Sequence, residues 1–140
     1  MRFCIIVLFL FMFGCVQQKD GSQNMKMPNN SKKVFFKNIN SGDTVNSPFI
    51  VEMGVRTMTI KPAGALEPGT GHHHLIIDKG FMKYGEIIPM DKHHLHYGKG
   101  DTVAEISLPP GEHKLTLQFA NGMHMSYGEQ FSNEINIYVK

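Results

Sequence analysis

The sequence predicts an all-β domain: an immunoglobulin-like antiparallel β-sandwich carrying a long irregular insertion rich in histidine and glycine. Three observations predict it. Several short runs alternate apolar with polar residues, the period-two pattern of a strand with one buried face. Fourteen glycines and seven prolines are spread between those runs, where they mark turns. No stretch carries the three-to-four-residue apolar period of an amphipathic helix.

The elements follow in order. Val34-Phe35-Phe36 opens the ordered region and Ser41-Gly42-Asp43 turns it. Phe49, Val51, Met53 and Val55 then alternate with Ile50, Glu52, Gly54 and Arg56, so Met53 reads as core and not as a metal ligand. Ala104, Ile106 and Leu108 form another inward set, closed by Pro109-Pro110-Gly111. Leu115, Leu117 and Phe119 alternate with Lys114, Thr116 and Gln118, and Ile135, Ile137 and Val139 with Glu134, Asn136 and Tyr138. Short strands with frequent turns imply a sandwich. The cysteine–tryptophan signature of antibody domains is absent, so the immunoglobulin likeness is one of architecture only. Between Pro62 and Gly100 the pattern loosens, and this stretch holds six of the eight histidines. Irregular segments on a rigid scaffold are where function concentrates.

The chain ahead of the domain reads as an address. Met1-Arg2 is a short positive start, Phe3 to Phe13 is an apolar run, and Gly14-Cys15 closes it. The run suits a secretory signal and is too short to span a bilayer as a mature helix. Leu10-Phe11-Met12-Phe13-Gly14-Cys15 resembles a bacterial lipobox, which implies cleavage before Cys15 and its acylation. Residues 1–14 are therefore expected to be a signal peptide, 15–33 a lipidated flexible tether rich in Gln, Asn, Ser and Lys, and 34–140 a single β-sandwich domain. Val16 follows the cysteine where Asp would signal inner-membrane retention. The expected location is the cell envelope, on the periplasmic side of the outer membrane if the source has two membranes. The membrane is then the first partner, through the lipid anchor, and an envelope protein the second. A formal charge of only +2, with no concentrated basic face, excludes nucleic acid. Both cysteines, Cys4 and Cys15, lie ahead of the domain, which leaves it without a disulfide or a thiolate ligand.

The histidines carry the chemistry. In an extended Gly71-His72-His73-His74-Leu75-Ile76-Ile77-Asp78, His72 and His74 share one face, while His73 joins Leu75 and Ile77 on the other. In His93-His94-Leu95-His96, His94 and His96 share a face. Two such pairs brought together, with His124 from Met123-His124-Met125, would suit a copper or zinc ion. The candidate metal ligands are thus His72, His74, His94, His96 and His124. His73, Asp78, Asp91 and His113 are candidates for orienting those ligands or for purely structural hydrogen bonds.

Taken in order, these motifs resemble a bacterial family catalogued as domain of unknown function 4399. The residues that carry the resemblance are Ser41-Gly42-Asp43-Thr44-Val45 with Ser47-Pro48, Pro62-Ala63-Gly64, the Gly71–Asp78 run, and Ile88-Pro89-Met90-Asp91. They continue with His94-Leu95-His96-Tyr97-Gly98-Lys99-Gly100, Pro109-Pro110-Gly111-Glu112-His113 and His124-Met125-Ser126-Tyr127-Gly128. His93 falls outside the pattern. The resemblance implies an exported, compact β-domain and carries no established activity.

The leading expectation is a non-catalytic binding module of the cell envelope whose ligand the sequence leaves open, a transition metal, copper or zinc, held by the clustered histidines being one candidate. The alternative is a structural or protein-interaction module whose histidines form a hydrogen-bond network. A metal-dependent hydrolase ranks last: no nucleophile elbow is present, and Ser107 and Ser126 have no catalytic setting. Carbohydrate binding lacks a tryptophan platform, although Tyr84, Tyr97 and Tyr127 are available for stacking.

Overall fold

A computed structural model describes residues 32–140. The signal segment, Cys15 and nearly all of the tether lie outside the described residues. The described residues form nine strands: β1 (Val34–Phe36), β2 (Thr44–Val45), β3 (Phe49–Val55), β4 (Thr59–Ile60), β5 (Thr70–Ile77), β6 (His94–His96), β7 (Val103–Ile106), β8 (Gly111–Ala120) and β9 (Ser132–Val139). Among the described residues the helical content is a single 3-10 turn at Glu129–Phe131.

The strands form two sheets. One is three-stranded, in the order β1-β3-β7. The other runs β2-β9-β8-β5-β4, with β6 also paired to β5. Their inner faces bury Val34, Phe36, Val51 and Met53 from the small sheet against Leu75, Ile77, Leu115, Leu117, Phe119, Ile135 and Val139 from the large one. The alternation read from the sequence thus becomes a sandwich-like, all-β arrangement, with Met53 fully buried in its core.

Two pairings depart from an all-antiparallel scheme. β2 runs parallel to β9, and β4 runs parallel to β5. Both newcomers are two-residue edge strands. Such a strand is too short to carry a period, so the residue pattern is blind to its direction.

The region expected to be an irregular insertion contains the strand that organises the site. β5 lies between β8 on one side and β4 and β6 on the other, the latter two taking successive stretches of the same edge. From Gly71 to Ile77 it is buried on both faces. Irregular backbone is confined to the segments around it, chiefly 78–93, which meets the outer face of the sheet where Met82 N–H bonds Gln118 Oε1 and pairs with the connection after β8 through the Ile87–Met125 bridge and the Ile88 N–H to His124 carbonyl bond of 2.9 Å.

Candidate metal centre

The outer face of the large sheet carries most of the buried polar residues, His72, His74, Thr116 and Gln118 among them. On β5, the alternation that sends His73, Leu75 and Ile77 inward sends His72, His74 and Ile76 outward. Opposite them on β8 stand Ala120, Gln118 and Thr116. Across the other edge, His74 pairs with His96 and Ile76 with His94. Gln118, fully buried, ties down the covering segments: its side-chain amide donates to the carbonyls of Gly128 and Phe131, both at 3.1 Å, and its Oε1 accepts from Met82 N–H.

Onto this face comes His124, from the connection after β8. Asn121 shapes that connection. Its Oδ1 accepts the backbone N–H groups of Met123 at 2.9 Å and Met125 at 3.1 Å, and its carbonyl accepts that of His124 at 3.0 Å. The clamp holds His124 at φ 64°, a left-handed conformation uncommon outside glycine and costing about 1–2 kcal/mol. Strain of this kind persists where surrounding structure fixes it, and here it swings the imidazole toward β5. His96 is placed differently. Its ring packs against Gly98, where any Cβ would collide with His96 Cε1 and Nε2. Only glycine at position 98 leaves the ring its seat.

The result is a cluster of His72, His74, His96 and His124, with one nitrogen from each within 4.8 Å of all the others. His72 Nε2 sits at its centre of contacts: 3.0 Å from His74 Nε2, 3.2 Å from His96 Nε2 and 3.3 Å from His124 Nδ1. Imidazoles bound tetrahedrally at roughly 2.0–2.1 Å would have nitrogen–nitrogen edges of about 3.3 Å. The rings give a second gauge. Their six centroid separations are 4.9, 5.0, 5.1, 5.0, 5.9 and 4.6 Å. Four imidazoles around one tetrahedral ion would have centroid edges of about 5.2 Å, whereas a square-planar set would show four edges of about 4.5 Å and two diagonals of about 6.4 Å. One separation is stretched, His74–His124 at 5.9 Å, but its opposite pair, His72–His96, stays at 5.0 Å. The cage is a distorted tetrahedron of the right size for a first-row ion.

Its electrostatics suit a cation too. Burial lowers the pKa of His72 to about 4, helped by His96 and His124. Burial does the same to His74, down to about 2, with all four neighbouring histidines adding to it. His96 is lowered by burial and then by His124. Burial and mutual repulsion thus hold His72, His74 and His96 neutral, with lone pairs kept for a ligand.

The remaining candidates fall elsewhere. Of the five expected ligands, His94 does not join the cluster. It shares the face but sits one pleat further along, beside Ile76, and its Nδ1 is bonded to Asp91 Oδ1 at 2.8 Å. Same-face alternation brings residues onto a surface without bringing them to one point. Asp91 also accepts the backbone N–H groups of His93 and His94, and these bonds, that of the His94 ring foremost, hold its carboxyl at about 2. Asp78 bonds His113 Nδ1 at 3.0 Å and Lys114 N–H at 3.1 Å, while His113 Nε2 is bonded to the Pro109 carbonyl. Neither Asp78 nor Asp91 hydrogen-bonds a clustered imidazole, and His113 stands apart from the cluster. His73 lies fully buried in the core, edge-on to Phe119 at 5.1 Å, with no hydrogen-bond partner for either ring nitrogen. Asn121 and Gly98 escaped the sequence reading as builders of the site. Gly98 lay in plain view, two residues after His96, but its meaning depends on where the ring folds back.

Residues 51–140 match a known family, described as domain of unknown function (DUF4399). The chain belongs to that family. No curated protein and no solved structure matches it. The matched span contains all four clustered histidines together with Gly98 and Asn121.

Proposed function

We propose that this DUF4399 protein is a non-catalytic metal-binding module of the cell envelope, holding one transition ion, copper or zinc, through His72, His74, His96 and His124. The observation that carries the reading is the convergence of four imidazoles, their centroids 4.6–5.9 Å apart and one nitrogen of each within 4.8 Å of the others. The lipobox-like sequence ending at Cys15 supports attachment to a membrane by a lipid anchor, with the domain outside the cytoplasm.

The competing idea, a histidine hydrogen-bond network, accounts poorly for His72. Its Nε2 lies within hydrogen-bonding distance of three other ring nitrogens. A ring nitrogen has one proton or one lone pair, so it satisfies at most one of the three. Nitrogens crowded beyond their hydrogen-bonding capacity are what a shared cation explains.

The test is metal content of the chain purified without an affinity histidine tag, beside a His72→Ala/His74→Ala variant. One equivalent of copper or zinc, lost in the variant, is the expected result. Failure of the wild type to retain any copper or zinc after loading and dialysis would refute it.

A further inference from the structure

The four-histidine cage has a charge as well as a shape, and the two together narrow the ion. We propose that the cage is built for monovalent copper, Cu+, in preference to Zn2+. This rests on reading the cluster as a metal site.

Shape removes two competitors. Cu2+ and Ni2+ favour square-planar or tetragonal nitrogen sets. Here the three nitrogens around His72 Nε2 lie at 3.0, 3.2 and 3.3 Å, with no distant trans partner among them. The closed-shell ions that accept a tetrahedron, Zn2+ and Cu+, remain.

Charge separates those two. All four ligands are imidazoles, which bind a metal as uncharged donors, and two of them, His72 and His74, are fully buried. Zinc sites commonly bring thiolate or carboxylate charge to the ion, or set a carboxylate or carbonyl on the far N–H of each ligating histidine. Neither device is present among the described residues. The far nitrogens of His72 and His74, both Nδ1, have no partner. The nearest acids in sequence are occupied elsewhere, Asp78 with His113 and Lys114, Asp91 with His93 and His94. The cost of moving an ion from water into a low-dielectric site rises with the square of its charge, so a dication meets roughly four times the penalty of a monocation. A cage without anionic support therefore discriminates against Zn2+ and tolerates Cu+.

The experiment is a pair of competition titrations on the full chain, purified without a histidine tag. Cu+ is presented anaerobically under ascorbate against a chromogenic Cu+ chelator, and Zn2+ against a fluorescent zinc chelator. One Cu+ per chain, bound about two orders of magnitude more tightly than Zn2+, is expected. Zn2+ binding as tightly as Cu+, or more so, would overturn the preference while leaving the four-histidine site standing. Binding of neither ion would remove the site and the preference together. X-ray absorption of the Cu+-loaded wild type supplies a readout that needs no variant: a shell of nitrogen neighbours without sulfur is expected, and a copper–sulfur distance would place the ion elsewhere and refute the assignment.

Discussion

Replacing His73 by leucine should stabilise the domain, and by more in acid than in base. The imidazole is fully buried, and neither ring nitrogen has a hydrogen-bond partner. An unsatisfied buried polar group costs about 1–3 kcal/mol, while loss of the edge-on contact with Phe119 forfeits about 0.5–1.5 kcal/mol. The net expectation near pH 8 is a gain of about 1 kcal/mol. Acid adds to it. Burial, helped by Lys37 and His72, lowers the His73 pKa from 6.5 to about 4. In the unfolded chain this histidine takes up a proton as pH falls through 6.5, whereas in the folded chain it stays neutral until about pH 4. Between these values the unfolded state binds more protons, so the wild type loses stability as pH falls. At 1.36 kcal/mol per pKa unit, the loss reaches about 2 kcal/mol by pH 5 and about 3 kcal/mol below pH 4. Leucine has nothing to titrate. Urea unfolding of the metal-free wild type and His73→Leu, at pH 8 and pH 5, should give a difference growing from about 1 to about 3 kcal/mol. A difference that stays constant with pH, or a destabilised variant at both values, would show that His73 is not held neutral and unpartnered in the core.

Three further outcomes follow from the site. Gly98→Ala drives the His96 ring from its seat, so metal affinity measured by calorimetry should fall at least about tenfold while the metal-free melting temperature barely moves. Asn121→Ala strands the N–H groups of Met123 and Met125; denaturant unfolding should show a loss of about 1–3 kcal/mol, and metal affinity should weaken as His124 relaxes from its left-handed conformation. His94→Ala should leave metal stoichiometry unchanged by elemental analysis. In the same variant the Asp91 carboxyl, held at about 2 chiefly by the His94 ring, should titrate nearer the ordinary carboxylate range by NMR.

The sandwich was legible because its core strands obey a period. Leu115, Leu117 and Phe119 on β8, and Ile135, Ile137 and Val139 on β9, alternate inward as their spacing requires. The two-residue strands β2 and β4 were not legible, since a pair of residues has no period and their pairing is fixed by the turns that deliver them. In the site, strand geometry alone placed His72 and His74 together and turned His73 away. It could not separate His94 from His96, because both obey the same alternation and only the register of β6 against β5 decides which meets His74. Asn121 and Gly98 act through a turn and a folded-back ring, contacts that exist only once the chain has returned on itself.

The clustered imidazoles come from three separate stretches of chain: β5, β6 and the connection after β8. His72 and His124 are 52 residues apart. An ion gripped by both closes that loop covalently in all but name, and the chain-entropy value for such a closure is on the order of 4 kcal/mol, the size of a disulfide's contribution. The only cysteines in the sequence are Cys4 and Cys15, so no disulfide can brace the domain internally. An ion bound as proposed would take that structural office. A domain braced in this way would have its stability set by ion supply, and metal-free chains would loosen first where β5 and β6 meet the His124 turn. The folded fraction of such a chain would then report how much of its metal it has met.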